Sequence, residues 1–227
     1  MGLTDIFFPK TCLSCGKSGV YICTSCAQRV PNPQLVCPEC QRPSIDGFTH
    51  TKCKKKLSLD GIISLWKYQG VIRAALLKLK YRYAREIADE IVKYSKPQLT
   101  KFIFILPKNP ILVPIPLYFL KENLRGFNQT ELLGKALANE YGWKFIPDLL
   151  LRKMLKKPQA ELKGEERKEN IQGVFAFNPN YPSTTLSTSN SFILFDDVYT
   201  TGSTLKEACK VLKRNGVKTV WGLTIAR

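Results

Sequence analysis

Two adjacent carboxylates, Asp196 and Asp197, end an apolar run and are followed closely by Thr200, Thr201, Gly202, Ser203 and Thr204. Ionised carboxylates accept hydrogen bonds from neighbouring hydroxyls, which is what a ribose presents. A small polar loop that opens a helix offers backbone N–H groups, hydroxyls and the positive end of the helix dipole to a phosphate. The combination describes a site for a phosphorylated sugar. A plain capped helix start needs one side-chain oxygen, whereas six polar side chains stand here. Neither G-x-x-x-x-G-K-[ST] nor a G-x-G-x-x-G after a strand occurs in the chain, so the other common phosphate loops are excluded.

A second group of polar residues belongs beside the first. Val113-Pro-Ile-Pro116 reads as a strand end, and Leu124-Arg-Gly-Phe-Asn-Gln-Thr-Glu131 opens the next helix. Open parallel sheets bind ligands at the carboxyl ends of their strands. Arg125 brings a planar fork suited to phosphate. Asn128 and Gln129 offer amide donors near the helix start, although Asn128 is also a good N-cap.

Seven of the eight cysteines precede residue 54. Cys12/Cys15, Cys23/Cys26 and Cys37/Cys40 are C-x-x-C pairs, and His50/Cys53 is a fourth pair that uses the only histidine. Four pairs suffice for two tetrahedral zinc sites. Sequential pairing puts Cys12, Cys15, Cys23 and Cys26 on one ion and Cys37, Cys40, His50 and Cys53 on another; interleaved pairing satisfies the spacing equally. A single site with spare thiols and a surface His50 is the simpler alternative. Disulfides suit oxidising compartments, and redox C-x-x-C motifs rarely come three together. Cys209 falls on the apolar face of the last helix and reads as core.

Lysine and arginine outnumber acids to give a net charge of +17. Residues 66–85 carry Lys67, Arg73, Lys78, Lys80, Arg82 and Arg85 without an acid, interleaved with Trp66, Tyr68, Tyr81 and Tyr83. Such a field attracts polyanions, and exposed rings stack on unpaired bases; a solvated helix face would look similar. No apolar run approaches the ~20 residues of a membrane span. The first residues lack the basic start and cleavage site of a signal peptide, and Ile6 stands where a myristoylation motif needs Ser or Thr. The expected location is cytoplasmic.

The elements that must position these residues alternate strand and helix, which predicts an α/β fold with a mostly parallel sheet. Residues 1–56 form a metal module too poor in apolar periodicity to fold alone, with Lys54-Lys55-Lys56 as the hinge; residues 57–227 form the main domain. Strands are expected over 61–68, 102–106, 111–115, 173–177, 192–195 and 219–225. Helices are expected over 71–94, broken near 81–83, and over 129–141 and 205–215. Residues 151–172 are very polar, and 178–190 form a loop rich in Asn, Pro, Ser and Thr.

The run FILFDDVYTTGSTL resembles the signature of the type I phosphoribosyltransferases. The resemblance implies that Asp196 and Asp197 hold the ribose hydroxyls of phosphoribosyl pyrophosphate and that residues 200–204 hold its 5-phosphate. The full order is four metal-ligand pairs, V-P-x-P, R-G-F-N-Q, a polar segment with Lys156, Lys157, Gln159, Arg167 and Asn170, Gly173-Val-Phe175, then the signature. Over nearly the whole chain this is similar to the ComF/ComFC family of competence-associated proteins; His50 stands where that family usually has cysteine. The resemblance implies a type I phosphoribosyltransferase-like sheet with a small N-terminal zinc-ribbon module, structural zinc, and phosphoribosyl pyrophosphate bound with Mg²⁺. It further implies a part in DNA uptake, with single-stranded DNA and a competence helicase as partners. The reaction class it implies is displacement of pyrophosphate from carbon 1. Asp196 and Asp197 would be the catalytic pair, Arg125 would serve the pyrophosphate end, and a mobile loop would carry Lys157, Gln159, Arg167 and Asn170. Nothing marks the acceptor. The rival expectation is a non-catalytic protein that handles single-stranded DNA through Lys67, Arg73, Lys78, Lys80, Tyr81, Arg82, Tyr83 and Arg85 and keeps the sugar-phosphate pocket as sensor or grip.

Overall fold

The computed structural model describes residues 10–79, 84–117, 126–153, 172–182 and 190–227. Strands β1 (Gly61–Trp66), β2 (Ile111–Pro114), β3 (Lys144–Phe145), β6 (Ser191–Val198) and β7 (Thr219–Ala226) form one sheet in the order β1-β7-β6-β2-β3. Every pairing in it is parallel. A separate antiparallel pair joins β4 (Leu150–Arg152) to β5 (Phe175–Phe177). Among the described residues the α-helices are α1 (Thr24–Gln28), α2 (Gly70–Lys78), α3 (Ala84–Thr100), α4 (Gln129–Tyr141) and α5 (Ser203–Arg214).

The central strands are apolar without alternation because both sheet faces are covered. Successive residues point to opposite faces, and the core divides accordingly. Ile63, Leu65, Ile193, Phe195, Leu223 and Ile225 pack with α2, α3 and α4 on one side. Ile62, Val113, Phe192, Leu194 and Val220 pack with Leu205, Ala208, Cys209 and Leu212 of α5 on the other. Cys209 is fully buried, and burial pushes its thiol far above the ordinary range. Ser64 and Thr224, the buried polar residues of β1 and β7, satisfy each other across the sheet at 2.8 Å.

Two expectations need correction. Residues 102–106 are not a strand but a series of tight turns that prolongs α3, with bonds from Phe102 N to Leu99 O and from Leu106 N to Phe102 O. Leu106 is buried while Phe104 is 95% exposed; apolarity over five residues does not distinguish a strand from such a turn. The metal module also does not hang from a hinge. Tyr21, Ile22, Ala27 and Val30 share one core cluster with β1, α2 and α3, and Val36 belongs to the other cluster. Glu90 of α3 accepts hydrogen bonds from the backbone of Tyr21 (3.2 Å) and Ile22 (2.6 Å). Phe48 meets Trp221 edge-on at 4.9 Å. The module gains from the main domain the apolar burial that its own sequence lacks.

Candidate functional site

The cysteine pairs close sequentially. In each of two groups, Cys12/Cys15/Cys23/Cys26 and Cys37/Cys40/His50/Cys53, the ligand atoms lie within 4.8 Å of one another. Interleaved pairing is thereby excluded. The two first C-x-x-C turns have the same construction: Gly16 N donates to Cys12 O and Gln41 N to Cys37 O, both at 2.9 Å. A tetrahedral zinc with Zn–S bonds of about 2.3 Å separates its sulfurs by about 3.8 Å, and Cys15 Sγ lies 3.6 Å from Cys23 Sγ. No cysteine is in a disulfide. His50 turns Nδ1 toward Cys40 Sγ (3.4 Å) and Nε2 toward the Pro43 carbonyl (3.0 Å). That leaves Nδ1 as the metal-facing atom, with its ring oriented by a backbone acceptor as metal-binding histidines require. The Ser25 hydroxyl holds the Cys23 thiol at about 6, whereas the hydrogen bond with Cys23 pushes Cys26 up to about 12. Crowded thiols cannot all ionise without a cation among them, so the donor sets S₄ and S₃N fit zinc.

The acid pair and its loop occupy the carboxyl end of β6. Connections from β2 run through α4 outward to β3, and connections from β6 run through α5 the opposite way to β7, so β2 and β6 flank the point where strand order reverses. That crevice is where α/β sheets bind ligands. Asp197 lines it with Oδ2 accepting a bond from Gln129 Nε2 at 3.2 Å. Asp196 Oδ1 accepts from Asp197 N at 2.9 Å. Burial first, and then the adjacent Asp197 charge, hold the Asp196 carboxyl well above the usual carboxylate range, while the Asp197 N–H and Arg152 pull it back. Arg152 was not foreseen from sequence: β4 carries it beside the end of β2, where its Nη1 lies 3.5 Å from the Pro116 carbonyl oxygen and its guanidinium 5.6 Å from the centre of the Phe175 ring. Asn128 is committed elsewhere. Its Oδ1 caps Thr130 N at 3.0 Å and its Nδ2 donates to Ile115 O at 3.2 Å, so it fixes the start of α4 against the end of β2 and leaves Gln129 to face the acids.

The loop after β6 is tightly built. Thr201 Oγ1 and Ser203 Oγ share a bond of 2.8 Å, and Gly202 caps α5 in the left-handed region at φ 73°. A Cβ on Gly202 would lie 2.5 Å from the Tyr199 ring, so the position demands glycine on both counts. Thr200 and Thr201 are exposed, and Ser203 and Thr204 half-buried. The second metal group lies against this loop: Tyr199 Oη donates to Pro38 O (3.1 Å), Gln41 Nε2 to Thr201 O (3.0 Å) and Lys206 Nζ to Glu39 O (3.1 Å). About 160 residues separate these partners, and no spacing rule could have paired them.

Residues 3–55 match the double zinc ribbon domain family. The chain is 29% identical over 205 residues to DNA utilization protein YhgH of Salmonella typhi, covering 88% of this chain and 87% of that one. It is 29% identical over 212 residues to competence protein ComFC of Bacillus subtilis (91% and 79%) and 34% identical over 123 residues to competence protein F of Haemophilus influenzae (51% and 50%). These likenesses, which span most of the chain, support the resemblance to the ComF/ComFC family.

The basic surface departs from expectation at one ring. Lys67, Arg73, Lys78 and Arg85 are exposed. Trp66, by contrast, is a core residue of β1, 1% exposed, because β1 is covered on both faces. Tyr68 is half-buried, with the Arg73 guanidinium 5.9 Å from its ring centre. Lys80, Tyr81, Arg82, Tyr83, Arg125, Lys157, Gln159, Arg167 and Asn170 lie outside the described residues. Among the described residues no helix is long and apolar enough to cross a membrane.

Proposed function

We propose that the protein binds phosphoribosyl pyrophosphate together with Mg²⁺ and serves DNA uptake. The observation that carries the reading is the acid pair at the β2–β6 crevice, one carboxylate held by Gln129 and the other half-buried beside the hydroxyl-rich loop. In this reading Asp196 and Asp197 accept hydrogen bonds from the ribose hydroxyls. The hydroxyls of Thr200, Thr201, Ser203 and Thr204 and the N-terminus of α5 hold the 5-phosphate. Ribose donors and a cation favour the ionised form of Asp196, so binding draws a proton off it. Mg²⁺, when bound with the ligand, supplies countercharge to the pyrophosphate. The chemistry such a site supports is displacement of pyrophosphate from carbon 1 by an incoming nucleophile, with the acid pair stabilising positive charge on the sugar ring as the bond to pyrophosphate breaks. The role in DNA uptake rests on the relatives named for competence and DNA utilization. Titration calorimetry with phosphoribosyl pyrophosphate and Mg²⁺ tests the binding; absence of heat and of any protection against unfolding would refute it.

A second reading has its own support. Four exposed cations from Lys67 to Arg85 and a net charge of +17 suit single-stranded DNA, held by phosphate contacts and a limited amount of stacking. DNA binding that survives Asp196→Ala with Asp197→Ala and weakens steeply with salt would assign the two ligands to separate surfaces.

A further inference from the structure

The second metal group touches the phosphate loop at both ends and in the middle. Tyr199, before the loop, donates to Pro38 O; Thr201, within it, accepts from Gln41; Lys206, in the first turn of α5, donates to Glu39 O and faces the Glu39 carboxylate at 3.9 Å. Pro38, Glu39 and Gln41 are the residues of one C-x-x-C turn, closed by Gln41 N to Cys37 O and Cys37 N to Arg42 O at 2.9 Å each. Gln41 takes a left-handed backbone at φ 59°, a conformation that costs a non-glycine residue about 1 kcal/mol or more and is held by the two hydrogen bonds that close the turn. The Tyr199 ring, 2% exposed, is the floor on which Gly202 rests. The first metal group has a different neighbour: its backbone is tied to Glu90 and its Thr24 hydroxyl to Tyr94 of α3, at 3.1 Å.

We propose that the Cys37–Cys40 turn braces the phosphate loop, so that zinc at the second site and a phosphorylated sugar at the loop stabilise one another, while the first site is uncoupled. The inference of a ligand rests on the function proposed above; the brace itself does not. Metal closure fixes the positions of Pro38 O, Glu39 O and the Gln41 amide, and these fix Tyr199, Thr201 and Lys206. A loop already held in place loses less conformational freedom when the phosphate arrives. Linkage then requires the converse: whatever factor zinc adds to sugar-phosphate affinity, the sugar phosphate adds to zinc retention. Tyr199, Gln41 and Lys206 are positioning residues, since they act through the loop.

The test compares zinc-loaded wild type with Tyr199→Phe/Gln41→Ala, which removes two braces and no metal ligand, and with Glu90→Gln, which loosens only the first group. Hydrogen exchange without ligand should speed up over residues 199–206 in the double variant and not in Glu90→Gln. Phosphoribosyl pyrophosphate with Mg²⁺ should bind the double variant about tenfold more weakly. In wild type, saturating ligand should slow chelator-driven labelling of Cys37, Cys40 and Cys53, mapped by mass spectrometry, and leave Cys12, Cys15, Cys23 and Cys26 unchanged. Unaltered exchange over 199–206 in the double variant would overturn the brace. Faster exchange in a protein whose wild type binds no phosphoribosyl pyrophosphate would retain the brace and reject the proposed ligand. Equal protection of both cysteine groups would overturn the selective coupling.

Discussion

Asp197→Asn separates the two roles that its charge plays. The substitution keeps the shape of the side chain and an acceptor oxygen for Gln129 Nε2, now 3.2 Å from Asp197 Oδ2, but removes the negative charge. A hydrogen bond to an ionised group is worth about 1.5–3 kcal/mol, so phosphoribosyl pyrophosphate should bind roughly ten- to a hundredfold more weakly at pH 7.5. The empty protein should respond in the opposite sense. Burial and then the Asp197 charge raise Asp196 above its unfolded value, near 3.9. The native state therefore holds that proton more tightly than the unfolded chain, and stability falls as pH rises from about 4 through the raised value. Removing the Asp197 charge shrinks the cost wherever Asp196 is ionised. The variant should therefore melt higher than wild type at pH 7.5, with the gain shrinking as pH falls toward 4. Calorimetric titration and melting curves from pH 4 to 8 measure the two effects. Unchanged affinity would refute the ribose-binding role; a Tm gain independent of pH would refute the electrostatic origin.

Gly202→Ala should cost roughly 2 kcal/mol or more by forcing φ 73° on a residue whose Cβ meets the buried Tyr199 ring at 2.5 Å, and denaturant midpoints should show it. Metal analysis should find two zinc ions per chain. Chelation should lower the melting temperature of the whole chain in a single transition, because Tyr21, Ile22 and Val30 complete the core around β1, α2 and α3; an unshifted upper transition in calorimetry would contradict this. Lys67→Glu with Lys78→Glu should weaken single-stranded DNA binding and reduce its salt slope, as fluorescence anisotropy across a salt series would show. Trp66→Ala should instead destabilise the fold by about 3–5 kcal/mol, which urea titration would register before any DNA effect.

Much of this protein was legible along the chain because its signals are local. Strand β6, the acids at its end, the loop and α5 are contiguous, and continuous apolarity, adjacent charges and a glycine at a left-handed cap are properties of neighbours. Helix α4 was readable for the same reason, from Asn128 at its start to Gly142 at φ 65°. The C-x-x-C pairs announced a metal, since two ligands from one turn need only the right spacing. Other features were settled only when the chain closed on itself. Which pairs share an ion depends on where four turns meet, and they meet sequentially. Whether Trp66 stacks on a base or fills a core depends on what covers β1, and whether residues 102–106 are strand or turn depends on how α3 ends. Arg152 on β4 reaches Pro116 at the end of β2, and Gln41 reaches Thr201 across 160 residues. Spacing carries no record of such contacts, because burial and long-range hydrogen bonds are set by which surfaces pack together rather than by which residues follow one another.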